Sequence, residues 1–424
     1  MREISSLIKM PDQTSFTKAL RVAHAILPAC SLSLFPSVLL AETGQLTLPE
    51  VVQAGFERSP ELGLSDTMRR EGQAIRRQAS SLLADNPALM IRHENDSVGS
   101  DNGFRQWEGG LEMPMWLPGQ RDRRGKVADL AEGEADAVRN LQLWRMAGEI
   151  RELLWSLYIA ESERALARQA LEKVETLETD IAKRVAAGEL ARTDLILSQK
   201  ETLAREATRV SADAAYEVLL QNYRVLTGLT DIPAQIDETK ASFDTIGDDH
   251  PALLAARFAS ERVRAERDQV RSEKYANPLL FVGSKSEKPV SGVSYDTALI
   301  VEVNVPLGST VHAAPRTASA ERRLSEAVSE LATVRRKLEN SLIEATAELQ
   351  RTAQAVSLTE RQQQLASEGM RLTRRSFELG ESDVFMLLQA GVQALESEHD
   401  LRISRLKQGR ALSRYNQVLG VIPK

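Results

Sequence analysis

The sequence predicts a mainly α-helical protein with two pairs of β-strands set into it, and three observations predict that class. First, a tandem repeat runs through the chain: a shift of 192 residues places Pro114 on Pro306, Gly188 on Gly380, Glu189 on Glu381, Tyr223 on Tyr415 and Gly228 on Gly420, and a shift of 191 places Asn86-Pro87 on Asn277-Pro278. Such punctuation, twice in one order, marks a duplicated unit. Second, no proline falls between Pro118 and Pro233 or between Pro315 and Pro423, so nothing in those stretches breaks a helix. Third, alternating apolar and polar runs end at Pro114 and Pro306, the period of a strand with one covered face.

Composition agrees. The 424 residues include only 4% aromatics and one cysteine, Cys30, and the net charge is −6. An acidic chain is a poor match for nucleic acid, whose phosphates need a basic face. A single cysteine allows no internal disulfide and no thiolate metal site. The five histidines, His24, His93, His250, His312 and His399, stand in separate segments without zinc-ligand spacing. His93 in a strand reads as a pore-lining or rim residue. With no phosphate loop and no nucleophile elbow, the chain is expected to be no enzyme and to need no cofactor or metal.

Residues 1–41 read as an export signal: Arg2, Lys9, Lys18 and Arg21 precede an apolar run from Val22 to Leu40, with cleavage after Ala41. Pro28, Pro36 and three serines argue against a membrane anchor. "LPAC" at Leu27–Cys30 offers a second processing route, lipidation of Cys30. The first repeat covers 46–229. It opens on a helix that Thr47 caps and Pro49 starts, which is expected to run, interrupted near Ser59-Pro60, as far as Asn86-Pro87. Strands at 88–96 and 104–113 follow, then a helix of about 65 residues, roughly 100 Å long, a reversal at Gly188, and a return helix. Residues 230–247 link the copies. The second repeat, 248–423, has a helix, strands at 279–286 and 295–305, a long helix, a reversal at Gly380 and a return helix.

In the second strand pair Tyr295, Thr297, Leu299, Val301, Val303 and Val305 share one face, and Asp296, Ala298, Ile300, Glu302 and Asn304 the other. In the first, Trp107, Leu111 and Met113 share a face opposite Gln106, Glu108, Gly110 and Glu112. This alternation fits a barrel wall with lipid outside and water inside. By period alone it fits a hairpin on a soluble core equally well. Four strands cannot close a barrel, so the sheet either keeps its edges or several chains combine. No helical segment is apolar for long enough to cross a membrane, so a membrane protein would have to cross as strands.

The segments "LTLPEVVQAGFERSPEL", "MPMWLPGQRDRR", "RVAAGELARTDLILSQ" and "SFELGESDVFMLLQA", with an Asn-Pro before each first strand, together resemble the TolC-type outer-membrane factors across essentially the whole mature chain. The "WLPGQR" wording is most similar to the cation-efflux, CzcC-like branch. The resemblance implies a homotrimer in which each chain gives four strands to one 12-stranded barrel and its helices to a tunnel of hairpins in the periplasm. It implies an outer-membrane location, with Trp107, Leu111, Met113, Leu299, Val301 and Val303 facing lipid. The function implied is a passive exit duct for heavy-metal cations or drugs, handed on by a periplasmic adaptor of the membrane-fusion type and an inner-membrane pump of the RND type. Gly188 and Gly380 are then adaptor-docking tips, and Glu189, Arg192, Asp194, Glu381 and Asp383 a periplasmic gate. The competing reading is a soluble periplasmic coiled-coil adaptor or scaffold, which would lack the two amphipathic strand pairs.

In a threefold assembly an inward carboxylate becomes a ring of like charge, and such rings select cations. Asp383 has no nearby arginine corresponding to Arg192, so Glu381→Ala with Asp383→Ala is expected to raise single-channel conductance in planar bilayers and to weaken cation preference. Unchanged conductance and selectivity would leave both acids as helix caps.

Overall fold

The computed structural model describes residues 46–423 other than Leu190, Ser309, Gly380 and Asp383. The export signal with Cys30, the tip glycine Gly380 and the gate acid Asp383 lie outside the described residues. The first half comprises α1 (Leu48–Arg58), α2 (Leu62–Ser80), β1 (Ala88–Asn95), β2 (Arg105–Pro114), α3 (Gln120–Ala186) and α4 (Arg192–Thr227). The second comprises α5 (Pro251–Ser272), β3 (Leu279–Lys288), β4 (Asp296–Asn304), α6 (Thr310–Glu378) and α7 (Val384–Val418).

Local chemistry sets these boundaries. Glu50 accepts from the Thr47 amide at 2.8 Å and closes the first turn of α1. Ser59 and Pro60 then break the chain before α2. That helix stops at Ser80, six residues short of the Asn86 expected from sequence, because its last carbonyls are claimed from outside. Arg121 donates to the Ala79 and Ser80 carbonyls at 3.1 and 3.2 Å, and the Trp116 indole donates to Ser81 at 3.0 Å. Helix α6 starts at Thr310 and takes Pro315 into its second turn, where the ring removes the bond that an amide there would make to the Val311 carbonyl.

The 67 residues of α3 and the 69 of α6 are too long for any one core, so they are held at intervals. The main core lies midway along α3, where Ile150, Leu154 and Leu157 meet Val51, Val52 and Phe56 of α1 and Tyr216, Leu220 and Tyr223 of α4. The second half repeats it in reduced form, with Ala345 of α6 against Tyr415 of α7 and the adjoining Leu419. The halves close alike: Gly228 and Gly420 both adopt left-handed conformations, at φ 73° and 85°, just past α4 and α7.

A polar clamp joins the halves. Arg151, 3% exposed, grips Glu238 of the linker through two bonds of 2.8 and 2.6 Å, and donates to the Val421 carbonyl at 2.9 Å. Glu238 also accepts from Ser413 at 2.6 Å, and Ser413 accepts from the Trp155 indole at 2.9 Å. Beside it, Trp144 and Gln417 exchange side-chain-to-carbonyl bonds of 2.7 Å each. Gly409 lets α7 approach the Trp155 ring, which a Cβ there would strike. Removing one partner from a buried pair leaves the other charge uncompensated. Arg151→Ala should therefore cost about 3–5 kcal/mol in urea unfolding followed by far-UV circular dichroism; a loss within 1 kcal/mol of zero would show that water replaces the clamp.

Candidate functional site: the sheet and the helix tips

The four strands form one antiparallel sheet in the order β1-β2-β3-β4. The joint between β2 and β3 is therefore made by strands separated in sequence by α3, α4 and α5. Its register carries side chains across in rows: Leu89, Leu111, Val282 and Val301 form one, and Met113, Leu280 and Val303 another. All sit on the same face. There Leu299, Val301 and Val303 are 77%, 62% and 61% exposed, Trp107 and Leu111 about half exposed, and Met113 half-buried. All six strand residues singled out from sequence thus fall on one apolar surface, extended by Leu89 and Ile91. His93 lies on this face too, stacked on Trp107 at 4.0 Å near the turn end of the strands. It is not among the polar residues of the opposite face.

That opposite face carries Glu94, Glu108, Glu112, Glu287, Asp296 and Glu302 against Arg92 and Lys285. Lys285 pairs with Glu287 at 2.6 Å and Arg92 with Glu94 at 3.4 Å, which leaves the face acidic. One side chain here went unnoticed in the sequence. Phe281, 5% exposed, lies flat across Gly110 and Gly283 of adjacent strands. A Cβ on Gly110 would meet the ring at 2.7 Å and the Gly283 Cα at 2.5 Å. Glycines inside strands signal such a close approach, and this is the signal that the pair Gly109-Gly110 offered.

The strand-to-helix junction is built from "MPMWLPGQR". Gly119 adopts φ 77°, a left-handed turn closed to most side chains. Gln120, almost fully buried, accepts from the Leu117 amide at 3.0 Å and donates to Asn277 at 3.1 Å. Arg124 reaches Glu273 at 3.1 Å and lies over the Trp116 ring at 5.2 Å. The motif thus binds α2, α3 and α5 together at the foot of the sheet.

At the far end, α3 stops at Gly188, φ 78°, with open space around it and the Glu189 amide donating to the Arg184 carbonyl at 2.9 Å. The Glu381 amide makes the equivalent bond to Ser376 at 2.9 Å past α6. Asp194 accepts from the Ala191 amide at 3.2 Å and caps α4. Glu189, Arg192 and Glu381 are exposed and form no ion pair among the described residues. Among the described residues no helix is long and apolar enough to cross a membrane.

No family model and no curated protein matches the sequence. Solved structures do match the fold. The outer membrane protein VceC from Vibrio cholerae aligns with a TM-score of 0.68 at 15% identity, over 88% of this chain and 96% of that one. The Neisseria gonorrhoeae MtrE outer membrane channel, solved in its open state, gives 0.66 at 17% identity over 88% of each chain. The Campylobacter jejuni CmeC outer membrane channel gives 0.65 at 13%, over 88% and 85%.

The contact at Phe281 is testable. Gly110→Val should overpack the site by about 1–3 kcal/mol and lower the urea unfolding midpoint. Gly109→Val, whose Cβ would meet only the Met90 carbonyl at 3.8 Å, should be tolerated. Equal behaviour of the two would remove the ring from the account. The chain has the fold of the TolC-type outer-membrane channels.

Proposed function

We propose that the chain is the outer-membrane exit duct of a tripartite efflux system, a homotrimer whose sheets close into one barrel and whose helices extend into the periplasm. The observation that carries the reading is the sheet itself. It is antiparallel, has free edges at β1 and β4, and turns exposed apolar side chains to one side and carboxylates to the other. In water that face would aggregate; in lipid the free edges would be unsatisfied unless other copies pair with them. Three copies joined edge to edge satisfy both demands.

The helices support the same assembly. Leu358, Leu365 and Leu372 of α6, and Leu379 just past it, are exposed at seven-residue spacing, as are Ile196, Leu203 and Val210 of α4. Seven-residue spacing is a coiled-coil seam, and neighbouring copies would cover it. A soluble adaptor or scaffold has no use for the lipophilic sheet and is the weaker reading.

In this duct the acidic face lines the lumen and favours cations, which fits efflux of heavy-metal cations or of drugs that carry positive charge. An inner-membrane pump of the RND type would supply the energy. A periplasmic adaptor would dock on the reversals at Gly188 and Gly380, and Glu189, Arg192, Glu381 and Asp383 would form the gate; Asp194 already serves as a cap. Fractionation tests the whole reading: heat-modifiable protein in detergent-extracted outer membrane supports it, and freely soluble periplasmic protein contradicts it. Within that experiment Val301→Arg should deplete assembled protein, since a cation at mid-bilayer costs about 2–4 kcal/mol, while Glu302→Gln should not. Equal tolerance at the two positions would reverse the sheet.

A further inference from the structure

We infer that the chain carries a binding site for the phosphate headgroup of an anionic phospholipid, in the cleft between α3 and α5 just below the sheet; the inference rests on the outer-membrane reading. The cleft has a volume of about 420 Å³ and is lined by Arg123, Lys126, Ala265, Asp268, Arg271 and Ser272. Arg123 and Lys126 are exposed, one turn apart on α3, and neither forms an ion pair among the described residues. Arg271 meets Glu321 at 2.5 Å, a carboxylate that Arg267 also approaches at 3.4 Å. The one acid in the lining, Asp268, is held by Arg267 at 2.9 Å. The lining thus holds three cations, Arg123, Lys126 and Arg271, against the single acid Asp268, and two of those cations are exposed and unpaired among the described residues.

Position identifies the anion. Arg123 lies one helical turn from the start of α3, roughly 5 Å of rise, and Arg271 is in the last turn of α5, so both stand at the foot of the strands. The neighbouring surface grades from apolar to aromatic to basic. Leu82, Met115 and Leu307 are exposed beside the strand ends, Trp116 and Tyr275 lie at the junction, and the cations follow. That is the succession of hydrocarbon, interface and headgroup across a leaflet, and basic pockets at this level recognise lipid phosphates.

The cleft also faces away from the conduit. Lys126, Arg151 and Tyr158 fall within about 40° of one another around α3 at 100° per residue. Arg151 and Tyr158 hold the linker through Glu238 and the Pro233 carbonyl. A linker lying across the conducting side would obstruct it, so this stripe is the outer one.

The test uses the full chain, extracted from outer membranes and purified in neutral detergent, titrated with short-chain phosphatidylglycerol, short-chain phosphatidylcholine or inorganic phosphate and read by native mass spectrometry. Wild type should bind phosphatidylglycerol in preference to phosphatidylcholine. Arg123→Gln with Lys126→Gln should weaken that binding on the order of tenfold or more, whereas Lys337→Gln with Arg361→Gln, the same charge removed elsewhere, should not. Unchanged binding in the first variant, or equal loss in the second, overturns the site. Phosphate bound as tightly as phosphatidylglycerol reassigns it to the free anion and overturns the lipid. Fractionation of the wild type separates the two levels: absence from the outer membrane defeats the duct reading and this site with it, while presence there with no selective lipid binding defeats the site alone.

Discussion

An antiparallel sheet with two free edges and one apolar face is the constraint on which the rest of this molecule depends. Each edge strand presents a row of unpaired amides and carbonyls, and water and lipid make opposite demands on it. Water would satisfy the edges but not Leu299, Val301 and Val303; lipid would accept those side chains but not the edges. Pairing with further copies, as proposed, would resolve both. The duplicated sequence can be understood through the same constraint, because each repeat supplies one hairpin and the β2–β3 pairing joins them into one four-stranded sheet.

Placing that unit requires rigid supports, and the structure concentrates them at two levels. At the foot of the sheet Trp116, Gln120, Arg121 and Arg124 fix the angle at which strands become helices, by taking up the last carbonyls of α2 and the side chains of Asn277 and Glu273. Midway along α3, the Arg151–Glu238 clamp ties the linker and the end of α7 to one face. Between and beyond these levels each long helix packs chiefly on its own return helix, α3 on α4 and α6 on α7, and its other faces are left open. The exposed leucines of α6 and the exposed apolar residues of α4 mark where that support is missing.

Much of this was legible in the sequence. The repeat, the proline-free helices and the alternation of the strands are periodic signals, and periodicity survives without knowledge of tertiary contacts. Alternation also grouped Trp107 with Leu111 and Met113, and Leu299 with Val301 and Val303, because every second residue of a strand must point the same way; that the two sets share one face comes from the register across β3. What escaped depends on partners distant in sequence. Helix α2 ends at Ser80 because Arg121 and Trp116 arrive from α3 and its leading turn, which no local propensity announces. Phe281 is covered because two glycines on neighbouring strands leave room for its ring. Arg151 and Glu238 read as ordinary surface charges until the linker is laid against α3 and α7.

The closure of the sheet between copies is the central claim, and cysteine cross-linking tests it most directly. The only native cysteine is Cys30, so bonds between introduced cysteines can be assigned cleanly. With Ile91→Cys on β1, a second cysteine is scanned over Thr297, Leu299, Val301 and Val303 of β4, all on the same face, and whole outer membranes are oxidised. The account predicts that at least one pairing gives a non-reducing gel ladder that ends at three chains. Monomers at every pairing, or a ladder that climbs beyond three, would contradict it.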